Sequence, residues 1–309
     1  MSEIKKRCTG RWFDLLTMNG IDRHYLKGSH GPCPICGGKD RFRYDDKDGN
    51  GTYFCNSCGP GDGFNMLMKA KGWTFAECAA ELEKVVGKAA YSKPRQQMDG
   101  DKIRQAMNSL WLGSEPLSDG DAVDRYLTAR GVGLREYPEA LRFASRCAYH
   151  HEGNRYTNHP AMIAMVTGPD GKPATLHRTY LSGGAGKADL PSPRRVMPGK
   201  TEKGSAIRLS PVAEVIGIAE GIETALSASL IYGLPVWAAL NAGMLMQFEP
   251  PAGVHEIHIF GDNDANFAGQ SAANALAHRL SVQGFDVQIQ IPDEPGDWND
   301  FLLTQNKVA

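Results

Sequence analysis

The sequence has 309 residues, of which 41% are hydrophobic and 22% are charged, and its formal net charge is −1. This is the composition of an ordinary globular protein long enough for about two domains, which excludes disordered and disulfide-stapled small proteins. Its apolar runs are shorter than the ~20 residues that a membrane helix needs, and its first residues lack an apolar signal segment. We therefore expect a cytoplasmic protein that does not contact a membrane.

The near-zero net charge conceals an uneven distribution along the chain. Residues 1–100 carry a net charge of +4, residues 101–210 carry +5, and residues 211–309 carry −10. A neutral total by itself argues against a nucleic-acid partner, but the two basic segments restore that possibility because they can attract a polyanion.

The N-terminal third combines helical segments with a short β-hairpin. Helical spacing covers residues 3–27, and β-like segments at 41–44 and 52–54 flank a turn at 48–51. Two helices are predicted at 64–71 and 75–86, and the polar residues 92–100 are predicted to be a linker. The hairpin module, residues 31–63, is too small to have a hydrophobic core of its own.

Four cysteines in this module have the spacing of a metal site. Cys33 and Cys36 form one Cys-x-x-Cys pair, Cys55 and Cys58 form the other, and 18 residues separate the pairs. This spacing is typical of a tetrahedral structural zinc site. His30 is a less favoured ligand because four cysteines already complete the shell. We expect the remaining cysteines, Cys8, Cys78 and Cys147, to be free thiols.

Basic and aromatic residues alternate around the hairpin turn. Lys39, Arg41 and Arg43 are interleaved with Phe42 and Tyr44, and Tyr53 and Phe54 are expected opposite them. Such a surface suits single-stranded nucleic acid, in which phosphates pair with cations and bases stack on rings. The alternative is that the rings fill the small core beside the zinc site.

The rest of the chain changes from helices and a hairpin to alternating strands and helices. Residues 101–130 predict two helices, the second capped at 118–121, and strands at 161–167 and 174–181 predict a β-hairpin. From residue 213 onward, apolar strands alternate with helices, which indicates a parallel sheet covered by helices. The predicted fold class is therefore multidomain α/β. It comprises a zinc-ribbon domain with flanking helices (1–91), the linker, a basic α+β region (101–210) and a parallel α/β domain (211–309).

Acidic residues follow the predicted strands of this last domain. Glu220 follows the strand at 215–219, Asp262 and Asp264 follow the strand at 257–260, and Asp297 and Asp300 follow the final strand. Ligands collect at the carboxyl edge of such sheets, and converging carboxylates need a cation between them. Oxygen ligands favour Mg²⁺ or Mn²⁺. An alternative for Asp264 is that it caps the helix starting near residue 266.

These motifs resemble a known family. Residues 30–64 look like the zinc ribbon of phage and plasmid primases, and residues 213–304, with AEGIETA, FGDNDANFAGQ and GDWNDFL, resemble the Toprim domain. The combination resembles a Toprim-type DNA primase of mobile elements without a fused helicase, and residues 101–210 match its middle region more loosely. The resemblance implies a Rossmann-like parallel sheet and an enzyme that makes short RNA primers on single-stranded DNA from ribonucleoside triphosphates. A separate replicative helicase is then expected to unwind the DNA.

The resemblance also assigns roles by position. Glu220 matches the Toprim glutamate, Asp262 and Asp264 match the Asp-x-Asp metal ligands, and Asp297 and Asp300 match the later acidic motif. A two-cation mechanism then places the catalytic ions on Glu220, Asp262 and Asp264.

A cationic surface is also required, because the acidic segment repels nucleic acid. Arg178, Lys200 and Arg208 are the predicted contacts to template or triphosphate, together with Arg41 and Arg43 on the hairpin.

Two alternative functions for the protein remain open at this point. They are a Toprim nuclease and a non-catalytic DNA-binding mediator with a zinc site.

Overall fold

The computed structural model describes residues 3–90, 99–151, 155–199 and 201–308. The chain divides into two compact units, Met1–Asp99 and Gly100–Ala309. The predicted linker at 92–100 falls almost entirely outside the described residues, and Gly100 already begins a helix. Within the described part of the chain, no helix is long and apolar enough to cross a membrane.

The first unit packs short helices around a four-stranded antiparallel sheet, with strand order β1-β2-β3-β4. Its elements are α1 (Glu3–Cys8), α2 (Trp12–Met18), a 3₁₀ turn (Arg23–Leu26), β1 (Gly31–Cys33), β2 (Gly37–Tyr44), β3 (Tyr53–Cys55), β4 (Gly59–Gly61), α3 (Gly63–Lys71) and α4 (Phe75–Val85). Capping boxes begin the last two helices: Asp62 and Asn65 bond reciprocally at α3, and Thr74 and Glu77 do so at α4. The two helices predicted at 64–71 and 75–86 are confirmed within one residue at each end.

One apolar core holds the hairpin and the helices of this unit together. Trp12 of α2 and Phe64 of α3 meet edge to face, with ring centroids 5.0 Å apart. Phe42, Tyr44 and Tyr53 belong to the same core and are buried. For these three rings the alternative of core filling is therefore confirmed, because they supply the apolar surface that a module of this size needs.

The second unit begins with a five-stranded antiparallel sheet, with strand order β5-β6-β7-β8-β9. Its elements are α5 (Gly100–Leu112), β5 (Glu115–Pro116), α6 (Ala122–Ala129), β6 (Leu141–His151), β7 (Arg155–Thr167), β8 (Pro173–Tyr180) and β9 (Arg194–Val196). The predicted cap of α6 is confirmed, because the Asp121 carboxylate accepts hydrogen bonds from the backbone N–H groups of Val123 and Asp124. The predicted hairpin is β7–β8, whereas β5, β6 and β9 were not predicted.

A four-stranded parallel sheet follows, with strand order β11-β10-β12-β13. Its elements are β10 (Val215–Ala219), α7 (Ile222–Tyr232), β11 (Val236–Ala238), α8 (Ala242–Met246), β12 (Glu256–Phe260), α9 (Ala268–Val282), β13 (Asp286–Gln290) and α10 (Trp298–Val308). This arrangement confirms the predicted parallel α/β sheet.

The two sheets of the second unit share an apolar core. Val123 and Tyr126 of α6 and Met162 of β7 belong to the same cluster as Ile222 of α7 and Phe260 of β12. The predicted division at residue 210 therefore separates two sheets that pack on common side chains.

Candidate acidic metal site and zinc ribbon

The carboxyl edge of the parallel sheet carries the predicted acidic residues. Ala219 at the end of β10 lies beside Phe260 at the end of β12, so Glu220 and Asp262 leave adjacent strands at the same edge. Close packing of α9 helps to place Asp262. A Cβ at Gly269 would lie 2.5 Å from the Asp262 carbonyl oxygen, so only glycine fits at this position in the first turn of the helix.

Asp262 lies at the electrostatic centre of this edge, which we call the acid edge (Glu220, Asp262, Asp264 and Asp297). Burial, followed by the negative charges of Glu220, Asp297 and Asp264, raises the pKa of Asp262 to about 8, and Arg194 partly opposes this shift. The Oδ1 atom of Asp262 is buried and accepts no hydrogen bond from the described residues. An orphaned carboxylate oxygen among other carboxylates is costly unless the group is protonated or a cation is bound. Carboxylate oxygens are the ligands that Mg²⁺ and Mn²⁺ prefer.

Asp264 has a second role beside this centre. Its Oδ2 accepts a hydrogen bond from the backbone N–H of Gly269 at 3.0 Å, so it caps the first turn of α9. The capping alternative is thus met in part: Asp264 satisfies a backbone N–H of α9, but the N-cap position itself is Phe267 and the helix begins at Ala268. Capping does not remove Asp264 from the acid edge, because its charge still raises the pKa of Asp262.

Asp297 and Asp300 form a reciprocal cap at the start of α10. Oδ1 of Asp297 accepts hydrogen bonds from the backbone N–H groups of Asn299 and Asp300 at 2.8 and 2.9 Å, and Oδ2 of Asp300 accepts one from the Asp297 N–H at 3.3 Å. The charge of Asp297 also acts on Asp262. Asp300 is engaged in the cap, and its contact with a metal stays a prediction.

A buried ion pair lies next to the acid edge. Glu223 in the first turn of α7 is 5% exposed. Its Oε1 lies 3.0 Å from Nζ of Lys187 and accepts a hydrogen bond from the Tyr126 hydroxyl. Burial opposes ionisation, but Lys187, the Tyr126 hydroxyl and Arg194 outweigh it and lower the pKa of Glu223 to about 2. Sequence reasoning gave this pair no role, although Glu223 is the one charged residue of α7, which was a signal that its carboxylate needs a nearby cation.

We expect Lys187→Met to destabilise the second unit by about 3 kcal/mol at pH 7, because it leaves Glu223 buried without its cation. With Lys187 in place, the folded pKa of Glu223 lies below the unfolded value, so its contribution is full above pH 4.5 and disappears as the pH falls through about 2. In Lys187→Met, burial dominates and raises that pKa, so stability should increase on mild acidification.

Urea unfolding of both proteins between pH 4 and pH 8 measures this difference. Lys172→Met is the matched control, because Lys172 also pairs with a carboxylate, that of Asp170 at 3.3 Å, but on the surface. This control should unfold as the wild type does. Equal stability of Lys187→Met and the wild type at pH 7 would show that the buried pair contributes nothing.

The predicted basic contacts lie in different surroundings. Arg178 on β8 stands opposite Arg195 of β9 and lies 5.7 Å from the Tyr180 ring centroid. Arg208 donates to the carbonyl oxygen of Gly168 at 2.9 Å and lies 4.8 Å from the Trp237 ring centroid, so structural contacts hold it. Lys200 lies outside the described residues.

Arg194 is the basic residue that the structure places beside the acid edge, and the sequence prediction did not select it. It is exposed on β9, and its charge lowers the pKa values of both Asp262 and Glu223. The pKa of His177 is lowered to about 4, mainly by burial and next by the charge of Arg194. An exposed cation whose charge acts on the central carboxylate is well placed to meet a phosphate there.

The four cysteines of the first unit converge as predicted. Their four sulfur atoms all lie within 4.8 Å of one another, and they belong to Cys33, Cys36, Cys55 and Cys58. The Sγ atoms of Cys36 and Cys55 are 3.7 Å apart, and those of Cys33 and Cys58 are 4.0 Å apart. A tetrahedron with Zn–S bonds of ~2.3 Å has edges of about 3.8 Å, so the cluster fits zinc. His30 contacts the Asp40 carbonyl oxygen instead, at 3.1 Å.

The outer face of the hairpin keeps part of the predicted nucleic-acid surface. Arg43 stands opposite the half-buried Phe54 and is paired with Asp45 at 2.6 Å. Arg41 lies on the same face and Lys39 is exposed. This face therefore offers cations and one ring, although Arg43 is already partly neutralised.

Comparisons with known protein families agree with this geometry. Residues 28–64 match the zinc-binding domain of primase-helicase, and residues 215–307 match the Toprim domain. The chain has the domain composition of a zinc-ribbon Toprim primase. Between these two domains, residues 101–209 match a domain of unknown function.

Several solved primase structures are similar to this protein. The zinc-binding and RNA polymerase domains of Aquifex aeolicus primase are 16% identical with a TM-score of 0.45, covering 100% of this chain and 83% of that one. The primase fragment of the bacteriophage T7 primase-helicase protein is 16% identical with a TM-score of 0.39, covering 91% and 96%. A Pseudomonas aeruginosa DNA primase domain is 14% identical with a TM-score of 0.44, covering 66% and 75%. These values are too low to assign roles to individual residues.

Proposed function

We propose that the chain is a DNA primase that synthesises short RNA primers on single-stranded DNA, with divalent cations held at the acid edge. The observation that carries this proposal is the buried, unpartnered Oδ1 of Asp262 among three further carboxylates, with Arg194 beside them. Two cations bound there would activate a primer 3′-hydroxyl and stabilise the leaving pyrophosphate. Glu220, Asp262 and Asp264 are the proposed ligands, with Asp297 next to them.

The residues around the acid edge have complementary tasks in this proposal. Because burial and the neighbouring carboxylates raise the pKa of Asp262 to about 8, a cation that bound there would displace a proton from it. Arg194 offsets the charge of the triphosphate, which the acidic unit otherwise repels. Lys187 and Tyr126 hold Glu223, and with it the first turn of α7, in a fixed position after Glu220.

The cationic surface for the template is also part of the proposal. Arg178, Lys200 and Arg208 stay predicted contacts to template or triphosphate. Arg41 and Arg43 on the zinc ribbon are predicted contacts to the single-stranded template. A mobile-element setting and a separate replicative helicase also remain predictions from the sequence.

The test is synthesis from labelled ribonucleotides on single-stranded DNA of several sequences, with Mg²⁺ or Mn²⁺. The proposal predicts short RNA products that depend on both the template and the metal. Shortening of the DNA would favour a Toprim nuclease. DNA binding without products under both metals would favour a non-catalytic mediator, and either result would overturn the proposal.

A further inference from the structure

An exposed aromatic residue lies in the loop between β12 and α9, which carries Asp262 and Asp264 of the acid edge. Phe267 is 70% exposed and has a φ of +58°, in the left-handed region that bulky side chains avoid. Among the described residues, the non-glycine positions with positive φ are Asp46, Asp48, Leu240 and Phe267, so Phe267 is the only aromatic one. A large ring in such a conformation, facing water, contributes nothing evident to folding.

Hydrogen bonds within this β12–α9 loop hold Phe267 in this conformation. The backbone N–H of Phe267 donates to the Asp264 carbonyl oxygen at 2.9 Å, and its own carbonyl oxygen accepts from the Ser271 N–H at 3.0 Å. The Gln270 side chain closes the loop by donating to Oδ1 of Asn263 at 2.8 Å and to the Asp264 carbonyl oxygen at 3.1 Å. Because neighbouring groups maintain the strained conformation, the loop presents the ring in a defined place.

The place of this ring relative to the acid edge indicates its ligand. Phe267 follows Asp264 by three residues, and its backbone N–H is hydrogen-bonded to the Asp264 carbonyl oxygen, so the ring is carried by the same loop as two of the proposed cation ligands. A nucleotide whose phosphate or hydroxyl is bound at the acid edge carries its base one sugar away. A flat apolar ring suits the face of any base, and stacking changes affinity by about tenfold for each base.

We propose that Phe267 stacks on a nucleobase of the nucleotide or nucleic acid bound at the acid edge. This inference rests on the proposed function, since it takes its ligand from that site. The base belongs either to the template or to an incoming triphosphate, and both present the same aromatic face.

The experiment compares wild-type chain with Phe267→Ala and Phe267→Tyr in two measurements. The first is the affinity for fluorescein-labelled oligothymidylate and for an abasic deoxyribose-phosphate chain of the same length. The second is the KM for each ribonucleoside triphosphate during primer synthesis. A template base predicts about tenfold weaker oligothymidylate binding by Phe267→Ala, whereas an incoming base predicts about tenfold higher KM. Phe267→Tyr should behave as wild type in both.

Controls separate stacking from a structural effect. Leu112→Ala removes another exposed apolar side chain, on α5, and should leave both measurements unchanged. Phe267→Gly removes the ring and suits the positive φ, so it should be at least as stable as wild type to urea yet show the same loss as Phe267→Ala.

Two results would overturn the inference: unchanged binding and KM in Phe267→Ala, or an equal loss of affinity for the abasic chain. If the wild-type protein makes no primers, the proposed function fails, but the comparison of oligothymidylate with the abasic chain still tests whether the ring stacks.

Discussion

Asp262→Asn is expected to reduce primer synthesis by about a thousandfold or more while the protein keeps its fold and its affinity for template. A bound metal ion contributes several kcal/mol to transition-state stabilisation, which corresponds to this loss in rate. Asparagine has the shape of aspartate but cannot supply the negative charge that the cation needs. Removing a negative charge from the acid edge also reduces repulsion of DNA, so template binding should be unchanged or stronger.

The stability of this variant also has a defined pH dependence. The folded pKa of Asp262, about 8, lies above its usual value of 3.8, so protonation favours the folded state. In the metal-free wild type, this contribution is full below pH 3.8 and is lost as the pH rises through about 8. Asp262→Asn cannot ionise, so its Tm should fall less than that of wild type between pH 6 and pH 9.

Asp286→Asn is the matched control for this prediction. Asp286 begins β13 at the opposite, amino-terminal edge of the same sheet and is exposed. Its substitution should change neither primer synthesis nor the pH dependence of the Tm. Full activity of Asp262→Asn would show that the cation site has been placed wrongly.

Cys55→Ser is expected to release zinc and to unfold the first unit while the second unit stays folded. Metal binding contributes on the order of 10 kcal/mol to the folding of small zinc domains, and a hydroxyl is a poor substitute for a thiolate. Cys33 and Cys55 are also buried in the core that holds Trp12 and Phe42, so loss of the metal removes the support for those rings.

Zinc content by atomic absorption and near-ultraviolet circular dichroism measure the effect of this change. Cys78→Ser is the matched control, because Cys78 is equally buried in the same unit but lies on α4, outside the cysteine cluster. It should retain one zinc ion per chain. A Cys55→Ser protein with unchanged zinc content would refute the assignment.

The features that sequence reasoning predicted correctly depend on local patterns. The four cysteines were recognisable because Cys-x-x-Cys spacing alone constrains where the sulfur atoms can go. The parallel sheet was recognisable because short apolar strands alternate with helices, and the acids at its edge follow from strand direction. In each case the evidence is a pattern that can be read along the chain without knowing which distant residues are in contact.

The features that it missed depend on contacts between distant residues. Glu223 and Lys187 meet only because α7 packs next to the loop after β8. The charge of Arg194 acts on Asp262 although the two residues lie far apart in the sequence, with Arg194 held on β9 by its pairing with β8. The alternation of Arg43 with Phe42 and Tyr44 was read correctly as a strand, but it does not reveal which face is buried. The helices of the first unit decide that question by covering the aromatic face.

The most direct test of the acid edge is Mn²⁺ binding by titration calorimetry at pH 7, performed in two buffers of different ionisation enthalpy. Because the pKa of Asp262 is raised to about 8, cation binding should release a proton from it, and the measured heat should therefore depend on the buffer. We expect wild-type protein to bind Mn²⁺ with this proton release and Asp262→Asn to lose both the binding and the buffer dependence. Identical Mn²⁺ binding by the two proteins would contradict a cation site centred on Asp262.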